Sequence, residues 1–487
     1  MSSLTTRDSV AGHAWALQVG GAGRPADGGR RPVEDPATED TIAEVPDADE
    51  RDVGLAVDAA AAAFPAWRRT AARDRARLVR GLADVVREHV EEFAFLDALD
   101  GGFPITNMRN DVGWAAELLE LFADWALQLG GETIPASADH LHYTVREPFG
   151  VVGRIVPFNH PIFFAAGKVA APLVAGNTVV LKPADQTPLS ALRFAELANQ
   201  VLPPGVLNVV TGPRAGHALV ADPRVRRLAF IGSDAVGRAI QRDAAEVGVK
   251  HVTLELGGKN AMIVLPDADL DAAVAGVVSG MNFVGSTGQS CGSNSRILVH
   301  AEIAAELTDR VVARLGELRL GSPLDAATQV GPLVSEAQRQ RTERYVELGR
   351  REGARLRLGG RRPDGFPRGW FYAPTVFDEV DPGSQLGQQE VFGPVLSIMP
   401  VPDLDQAIEI ANAVEYGLTA SIWTADVKTA HRAVRDLDAG YVWVNGSGRH
   451  FWGVPFGGTK SSGVGREEGL EELHSFTQTK AVHVLLD

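Results

Sequence analysis

The sequence predicts an α/β protein with two parallel sheets that follow one another along the chain. Short apolar segments alternate with helical segments between residues 151 and 256, and a second series of the same kind follows between residues 261 and 445. Continuous apolar strands that alternate with helices are typical of a parallel sheet covered on both faces. A chain of 487 residues is also too long for one ordinary core, so two or three domains are expected.

The individual elements follow from hydrophobic periodicity. Residues 1–48 are polar and rich in Gly and Pro, which predicts extended segments or a short hairpin. The predicted helices cover residues 50–99, 111–127, 168–174, 189–200, 235–247, 272–281 and 304–318. The predicted strands cover residues 151–156, 178–181, 206–210, 227–231, 252–256, 261–265, 296–300, 395–399, 419–423 and 441–445. Residues 132–147 look extended, and the alternating tail at 475–486 predicts an edge strand.

Composition excludes several classes of function. A hydrophobic content of 45% and a charged content of 22% are those of a globular protein in water. The net charge of −15 argues against nucleic acid or an anionic membrane surface as the main partner. No apolar run approaches the roughly 20 residues of a spanning helix, and the first thirty residues do not resemble a signal peptide. We therefore expect a cytoplasmic protein without a membrane partner.

The only cysteine, Cys291, lies in the segment Gly-Gln-Ser-Cys-Gly that begins at Gly288. A single thiol cannot close an intrachain disulfide, so it is either a small buried hydrophobe or a reactive group. The polar and glycine-rich flanks predict a loop, and loops carry chemistry disproportionately. These flanks favour a reactive thiol.

Glu255 ends an apolar strand and precedes Gly257 and Gly258. A carboxyl group in apolar surroundings should have a raised pKa, which suits a general base near neutral pH. The alternative is a residue at a strand end that points to solvent. The two glycines would let the backbone pass close to a ligand.

Asn159 lies between Pro157 and Pro161 at the end of another predicted strand. A side-chain amide held by a rigid loop is suited to stabilising an oxyanion. The alternative is an ordinary turn residue, which is the commonest role of Asn in such a segment.

Two strand-to-helix junctions fit a phosphate-bearing ligand, since ligands of open parallel sheets bind at the carboxyl ends of the strands. Ser233 follows Gly232 at a helix start, where it would cap the helix and cradle phosphate. Lys182 and Asp185 follow the neighbouring strand and would hold ribose hydroxyls. An ordinary cap and a surface ion pair are the alternative. Residues 390–394, 455–458 and 460–466 taken alone read as turns.

Together these motifs resemble the aldehyde dehydrogenase superfamily, and the resemblance covers roughly residues 30 to 485. The motifs occur in the family's order and at its spacing; Cys291, for example, follows Glu255 by 36 residues. The resemblance implies an NAD(P)-dependent, non-acylating enzyme. Cys291 attacks the aldehyde, Asn159 and the Cys291 backbone N–H hold the oxyanion, and Glu255 activates the water that hydrolyses the thioester. Lys168 and Glu467 match positions used for proton relay.

The same resemblance implies the cofactor site. Glu390 looks like the nicotinamide-ribose ligand and Phe392 like its packing neighbour, while Ser233 resembles a pyrophosphate contact. The other implied cofactor-binding residues are Ile155, Pro157, Lys182, Asp185, Gly232 and Gly257. Asp185 stands where Glu is usual, and a carboxylate there repels a 2′-phosphate. NAD is therefore expected, with NADP possible because the side chain is one methylene shorter.

Fold and assembly also follow from the resemblance. It implies a Rossmann-type cofactor domain (1–131 and 152–260), an α/β catalytic domain (261–465) and a small β oligomerisation arm (132–151 and 466–487). A homodimer or homotetramer is expected, and no metal site is predicted.

The substrate is the least determined feature. By position, the implied pocket contains His160, Phe163, Phe164, Ser290, His450, Phe451, Trp452 and Phe456. This aromatic lining favours a mid-sized apolar or aromatic aldehyde, with a betaine-type amino aldehyde held over ring faces as the alternative. A CoA-acylating dehydrogenase, a catalytically silent binding relative and a cysteine hydrolase are the competing functions. Glu255 argues against the first, the intact set of motifs against the second, and the lack of a histidine-base motif around His160 or His251 against the third.

Overall fold

Two large sheets, each built mainly of parallel strands, organise the chain. The computed structural model describes residues 3–486; residues 1, 2 and 487, which the predicted domain ranges include, lie outside the described residues. The strands are β1 Leu17–Val19, β2 Ala22–Arg24, β3 Arg30–Asp35, β4 Asp40–Pro46, β5 Thr133–Ile134, β6 His140–Pro148, β7 Val151–Ile155, β8 Thr178–Lys182, β9 Leu207–Val209, β10 Val225–Ile231, β11 His251–Glu255, β12 Ala261–Val264, β13 Arg296–His300, β14 Arg355–Leu358, β15 Thr375–Asp378, β16 Val395–Val401, β17 Tyr416–Gly417, β18 Thr419–Trp423, β19 Tyr441–Val444, β20 Thr459–Lys460, β21 Gly463–Val464 and β22 Thr477–Leu485.

Helices connect these strands and cover the faces of both sheets. They are α1 Arg7–Ala11, α2 Glu50–Trp67, α3 Ala72–Glu88, α4 Val90–Gly101, α5 Ile105–Asp124, α6 Ala170–Val174, α7 Leu189–Ala198, α8 Ala215–Ala221, α9 Asp234–Val247, α10 Leu270–Gly280, α11 Phe283–Ser286, α12 Ala301–Gly316, α13 Glu336–Arg351, α14 Gln385–Gln388, α15 Leu404–Asn412, α16 Val427–Asp436 and α17 Leu470–Ser475. A 3₁₀ turn follows α5 at Trp125–Gln128, and a π-helical turn precedes α6 at Phe163–Gly167. No described helix has the length and apolar character needed to cross a membrane.

The first sheet contains a reversal of strand order. Its strands run β2-β1-β9-β8-β7-β10-β11-β21, and the five from β9 to β11 are parallel. From β7 the chain adds β8 and β9 on one side and then returns to add β10 and β11 on the other. Such a switch opens a crevice at the carboxyl ends of the two central strands, which is where open α/β sheets bind ligands.

The second sheet runs β14-β15-β16-β13-β12-β18-β19 and is parallel except at β14. Successive side chains of β12 divide between two apolar clusters: Ile263 belongs to one, and Met262 and Val264 to the other. In the first sheet, Val180 and its neighbour Leu181 likewise belong to different clusters. Both sheets are therefore covered on both faces, and the predicted α/β fold class is confirmed.

A separate three-stranded sheet joins the two ends of the predicted arm. The tail strand β22 pairs antiparallel with β6 along nine residues, and β5 lies on the far side of β6. β22 is thus an edge strand, as its alternating pattern predicts. α17, between Glu467 and this strand, instead packs Leu473 into the core of the first sheet, and β21 pairs with β11 although it falls in the predicted catalytic range. The division into domains stays a prediction.

Some short elements differ from the sequence-based expectation. α1 lies in a segment predicted to be extended, and it is fixed by a reciprocal capping box between Thr6 and Ser9. The helix predicted at 168–174 begins earlier as the π-helical turn, which adds one residue to a helical turn. A single turn is too short for hydrophobic periodicity to reveal it.

Candidate active site

Cys291 lies in the loop between α11 and β13, where it packs beside Leu418, Tyr441, Trp443 and Phe456. The Asn260 side chain fixes this loop by donating from Nδ2 to the carbonyl oxygens of Cys291 (2.7 Å) and Ser293 (3.0 Å). Gly288 has φ +72°, and a Cβ there would stand 2.5 Å from the Gly393 carbonyl oxygen. Only glycine fits at position 288, because any side chain there would collide with the Gly393 backbone.

The thiol is held in its neutral form. Burial raises the pKa of Cys291 to about 12, and the carboxyl groups of Glu255 and Glu390 act in the same direction. The Gly292 N–H, which hydrogen-bonds the sulfur, only partly opposes this. Because the thiolate is the reactive species, attack by this sulfur requires a nearby group that takes its proton.

Glu255, the last residue of β11, is such a group. Its side chain is buried, and neither carboxyl oxygen has a hydrogen-bond partner among residues 3–486. Burial raises the pKa of Glu255 well above its usual value, and neighbouring Glu467 adds to the effect. A Cβ at Gly457 would stand 2.7 Å from Glu255 Oε1, so this glycine leaves room for the carboxyl group. A buried, unpartnered carboxyl is suited to proton transfer near neutral pH, and the solvent-facing alternative does not apply.

Asn159 follows β7 and is buried, with 2% of its surface exposed. Its Oδ1 has no partner within the described chain. A turn residue would normally use its side chain to bond nearby backbone, and no described hydrogen bond holds this amide in that way. The side chain is therefore available to a ligand.

A buried charge network lies behind these residues. Lys168 Nζ is 2.9 Å from Glu467 Oε2 and 3.5 Å from Glu468 Oε1, while Arg154 contacts Glu467 Oε1 at 2.6 Å. Burial works against charge, but the cations outweigh it and lower the pKa of Glu467. His450 and Lys168 likewise lower the pKa of Glu468 to about 2. The carboxylates in turn raise the pKa of Lys168. Ionic partners thus keep this whole network charged.

Glu390 lies against the backbone that follows β11. Its Oε1 accepts a hydrogen bond from the Gly258 N–H at 2.9 Å, and a Cβ at Gly257 would collide with the carboxyl group at 2.3 Å. Gly257 therefore admits Glu390. Burial raises the pKa of Glu390 to about 7. The Phe392 ring meets Phe158 edge-on, with centroids 5.7 Å apart.

The crevice of the first sheet has groups that fit a dinucleotide. Ile155 ends β7 and Pro157 follows it, while Gly232 and Ser233 follow β10, so all four lie at the switch in strand order. Ser233 is the N-cap residue that precedes α9 and has an extended backbone conformation, but its hydroxyl makes no capping bond, contrary to the prediction. The hydroxyl and the helix N-terminus thus remain available to a phosphate group.

Lys182, the last residue of β8, forms an ion pair of 2.8 Å with Asp185 in the loop that follows. Arg31, from the hairpin β3–β4, donates to the Asp185 carbonyl oxygen at 2.6 Å and lies 3.9 Å from its carboxylate. Lys182 and Asp185 thus contact each other directly. Arg31 also contacts Asp185, which the sequence did not indicate.

The aromatic residues of the predicted pocket form two groups, and the second packs with Cys291. Phe163 lies 5.2 Å from Phe164 and is stacked on Trp452 at 5.8 Å. In the second group Phe456 lies 5.5 Å from Tyr441. The predicted pocket residues that belong to these groups or adjoin Cys291 are His160, Phe163, Phe164, Ser290, His450, Trp452 and Phe456. Phe451 differs: it is 46% exposed and lies beneath the Arg449 guanidinium.

Several residues of the site escaped sequence reasoning. Tyr441 and Trp443 share one face of β19, which the period of two in a strand could have indicated. Glu468 adjoins Glu467 in a charged, glycine-rich segment that resembles a solvated loop, so no pattern marked it as buried. Asp111 is buried and its Oδ2 lies 2.8 Å from Nδ1 of His160. It carried no signal either, because one carboxylate within an amphipathic helix is usually exposed.

Known proteins similar to this chain in sequence and structure are aldehyde dehydrogenases. The sequence model described as the aldehyde dehydrogenase family matches residues 24–482. The chain is 43% identical over 473 residues to aldehyde dehydrogenase tropH of Talaromyces stipitatus, covering 95% of this chain and 91% of that protein. It is 41% identical to a betaine aldehyde dehydrogenase of Cereibacter sphaeroides, covering 95% and 96%. The structure of a Bacillus cereus aldehyde dehydrogenase in complex with NAD⁺ is similar with a TM-score of 0.96, 39% identity and full coverage of both chains.

Proposed function

The chain belongs to the aldehyde dehydrogenase family and is an NAD(P)-dependent aldehyde-oxidising enzyme, and on that premise we propose that Cys291 and Glu255 carry the reaction. Cys291 is the nucleophile, Glu255 the general base and Asn159 the oxyanion donor. The observation that carries this assignment is the buried Glu255 carboxyl, which has no partner among the described residues and lies close enough to Cys291 to raise the pKa of its thiol.

In the first half-reaction the Cys291 sulfur forms a bond to the carbonyl carbon of the aldehyde. The thiol is neutral at rest, so its proton passes to Glu255 and from there to solvent. The Asn159 amide and the Cys291 backbone N–H hold the negative oxygen. Bound NAD(P) supplies the acceptor for the hydride that leaves the carbonyl carbon, and the product on Cys291 is a thioester.

In the second half-reaction water attacks the thioester. Glu255 takes one proton from this water, the C–S bond breaks, and the departing sulfur receives that proton. The product is a carboxylic acid, and both side chains return to their starting forms. The network of Lys168 and Glu467 keeps opposite charges beside Glu255, and Lys168 works to lower its otherwise raised pKa. We propose that Lys168 and Glu467 act on Glu255 through these charges, and the proton relay that the resemblance implies for them stays a prediction.

Glu255 supports hydrolysis rather than transfer to CoA, because water is a weaker acid and a weaker nucleophile than a thiol and so depends more on a general base. The test is to incubate the enzyme with an aldehyde, NAD⁺ and CoA and to separate the products. Free acid in equal amount to NADH, with or without CoA, is the expected result. Accumulation of acyl-CoA would contradict the proposal, and absence of NADH with every aldehyde would favour a silent relative.

For the cofactor site we propose that Glu390 holds the nicotinamide ribose and that Lys182 and Asp185 hold the adenosine ribose. Phe392 would lie beside the nicotinamide and Ser233 beside the pyrophosphate. NAD is the expected cofactor, because the Asp185 carboxylate repels a 2′-phosphate. The neighbouring Arg31 offsets part of that repulsion. Parallel measurement of kcat/KM with NAD⁺ and NADP⁺ tests this, and Asp185→Ala should raise the relative use of NADP⁺ by about tenfold. An unchanged ratio would contradict the role of Asp185.

For the substrate we propose a mid-sized apolar or aromatic aldehyde. The ring groups around Phe163 and Phe456 support it. A relative with 41% identity is a betaine aldehyde dehydrogenase, so a cationic amino aldehyde held over ring faces is the second candidate. A panel that contains aliphatic, aromatic and trimethylammonium aldehydes distinguishes the two.

We also propose a cytoplasmic homodimer or homotetramer without nucleic-acid or membrane partners. A single free cysteine fits a reducing environment, and the net charge of −15 opposes anionic partners. The arm sheet exposes Ile134, Leu141 and Val484, an apolar surface that a second copy would cover. Light scattering after gel filtration tests the assembly: a monomer at micromolar concentration would contradict it.

A further inference from the structure

Two histidines of the aromatic pocket are each tied to a buried carboxylate. His450 Nδ1 lies 2.9 Å from Glu468 Oε2, and His160 Nδ1 lies 2.8 Å from Asp111 Oδ2. Both carboxylates are buried, whereas the imidazoles keep 30% and 24% of their side-chain surface. No described residue hydrogen-bonds Nε2 of either ring, and since Nδ1 faces the interior, the exposed edge of each ring carries Nε2.

His450 is close to the reacting thiol. Its ring lies 4.4 Å from Phe456 and is stacked on Tyr441 at 5.9 Å, and these two rings belong to the cluster in which Cys291 packs. The catalytic mechanism above makes no use of the imidazole. Its position one aromatic side chain from the sulfur is where the far end of a small aromatic substrate would lie.

Glu468 is built to hold this imidazole. The residue adopts φ +64°, a left-handed conformation that is unfavourable for Glu, and its backbone N–H donates to Glu472 Oε2 at 2.7 Å. This conformation is accompanied by the contact of Oε2 with His450 and of Oε1 with Lys168. Strained residues of this kind concentrate at functional sites.

The charges around the two imidazoles decide which substrate group they suit. Each ring already has its own carboxylate, and Lys168 is shared by Glu467 and Glu468, so no unpaired buried cation faces the pocket among these residues. Asp97, which also faces His160, is acidic as well, while the nearby cation Arg449 is exposed above Phe451. The pocket therefore offers directed hydrogen bonds rather than net positive charge, which disfavours a substrate carboxylate.

We propose that the His450–Glu468 pair is a specificity site for a hydroxyl group on an aromatic aldehyde, so that the preferred substrates are hydroxylated benzaldehydes. This inference rests on the function proposed above. A hydroxyl both donates and accepts, so it bonds Nε2 whether or not that nitrogen carries a proton. His450 contacts the substrate, Glu468 positions the ring through Nδ1, and the rings of Phe163, Tyr441 and Phe456 take the aromatic body.

The test compares substituents at one ring position. In the wild type, kcat/KM should be at least about tenfold higher for 3- or 4-hydroxybenzaldehyde than for the corresponding methoxybenzaldehyde, which cannot donate. In His450→Phe, which keeps an aromatic ring on Phe456, this ratio should fall to near one while benzaldehyde is still oxidised. Glu468→Gln should lower the ratio in part. His251→Phe is the matched control, because His251 lies at the end of β11 opposite to Glu255. This variant should leave the ratio unchanged.

The possible results distinguish failure of this inference from failure of the proposed function. An unchanged ratio in a His450→Phe enzyme that still oxidises benzaldehyde overturns the inference, as does a wild-type preference for carboxybenzaldehyde or betaine aldehyde; the dehydrogenase assignment survives both. If no aldehyde yields NADH, the proposed function itself fails. Should the variants not fold, competitive inhibition of the wild type supplies the same comparison: phenol should inhibit benzaldehyde oxidation about tenfold more strongly than anisole, and equal inhibition overturns the inference.

Discussion

Two sets of buried acidic residues lie within one site and have opposite electrostatic character. Glu255 has no hydrogen-bond partner for either oxygen, and burial raises its pKa. Glu467 and Glu468 are equally buried, yet ion pairs with Arg154, Lys168 and His450 lower their pKa values. The desolvation cost is similar in both sets, so the difference comes from the neighbouring cations.

This difference in pKa distinguishes a residue proposed to take part in the reaction, Glu255, from residues proposed to stabilise the fold around it, Glu467 and Glu468. A buried group without ionic partners, whose pKa is raised, is suited to exchange protons during turnover, whereas close ionic partners hold a group in its charged form. Removing Glu255 should therefore change the reaction and leave the fold intact. Removing a member of the ion-paired network should change the fold's stability first.

The largest effect on activity is expected for a substitution of Cys291, the proposed nucleophile. Cys291→Ala removes the proposed nucleophile, so NADH production should fall at least about 1,000-fold. The small side chain should leave the thermal unfolding midpoint close to that of the wild type. Residual activity within tenfold of the wild type would show that another group attacks the aldehyde.

Glu255→Gln tests the uncompensated carboxyl. The amide cannot take a proton from water, so the steady-state rate should fall about 100-fold or more while acyl-enzyme accumulates. With a good aldehyde, one equivalent of NADH or less should form in a fast burst, measured by stopped-flow absorbance. Mass spectrometry of the quenched protein should show the acyl group on Cys291. Wild-type steady turnover in this variant would remove Glu255 from the mechanism.

Lys168→Met tests the compensated network. The change leaves Glu467 with Arg154 alone and leaves Glu468 with His450, so buried carboxylates lose their common partner. Breaking a buried ion pair in this way should lower the free energy of unfolding by about 3–5 kcal/mol. Chemical denaturation measures the loss, and Glu255→Gln is the comparison. Equal stability of the two variants would contradict the division of roles.

The sequence predicted the fold because periodicity and strand order are local or nearly local properties. The alternating apolar strands from 151 to 256 became β7 to β11, and the tail became β22. Predicting the network around Lys168 was not possible in the same way, because Arg154, Lys168 and Glu467 come together from β7, the turn before α6 and the segment before α17. The position of a charged residue in the sequence does not indicate which other charged side chains will contact it in the folded protein.

The same limit applies to individual site residues. Cys291, Glu255 and Asn159 each lie in a glycine- or proline-marked segment at a strand end or loop, so local sequence singled them out. Glu468 depends on a left-handed backbone conformation and on contacts with His450 and Lys168, and none of these leaves a trace in its neighbours. Asp111, which contacts His160 as Glu468 contacts His450, lies in the middle of α5 and has no such local signal either.

A pH profile of hydrolysis should show the raised pKa of Glu255. The base acts only when deprotonated, so the rate of thioester hydrolysis should fall about tenfold per pH unit below this raised pKa and level off above it. In Lys168→Met the profile should move to higher pH, because Lys168 lowers the pKa of Glu255. Single-turnover release of acid, followed between pH 6 and about pH 10, measures both. A profile unaffected by Lys168→Met would show that the network does not act on the base.

The smallest effect is expected where an ion pair is formed at the surface. Arg109 donates two hydrogen bonds of 2.8 Å to the Glu91 carboxylate, a geometry as good as any pair in the buried network, but both side chains are exposed. Water and salt screen this pair, so Glu91→Gln should change the free energy of unfolding by less than about 1 kcal/mol. Denaturation alongside Lys168→Met in one buffer makes the comparison direct. A loss as large as that of Lys168→Met would mean that pairing geometry, rather than burial, sets the cost of removing a charge in this protein.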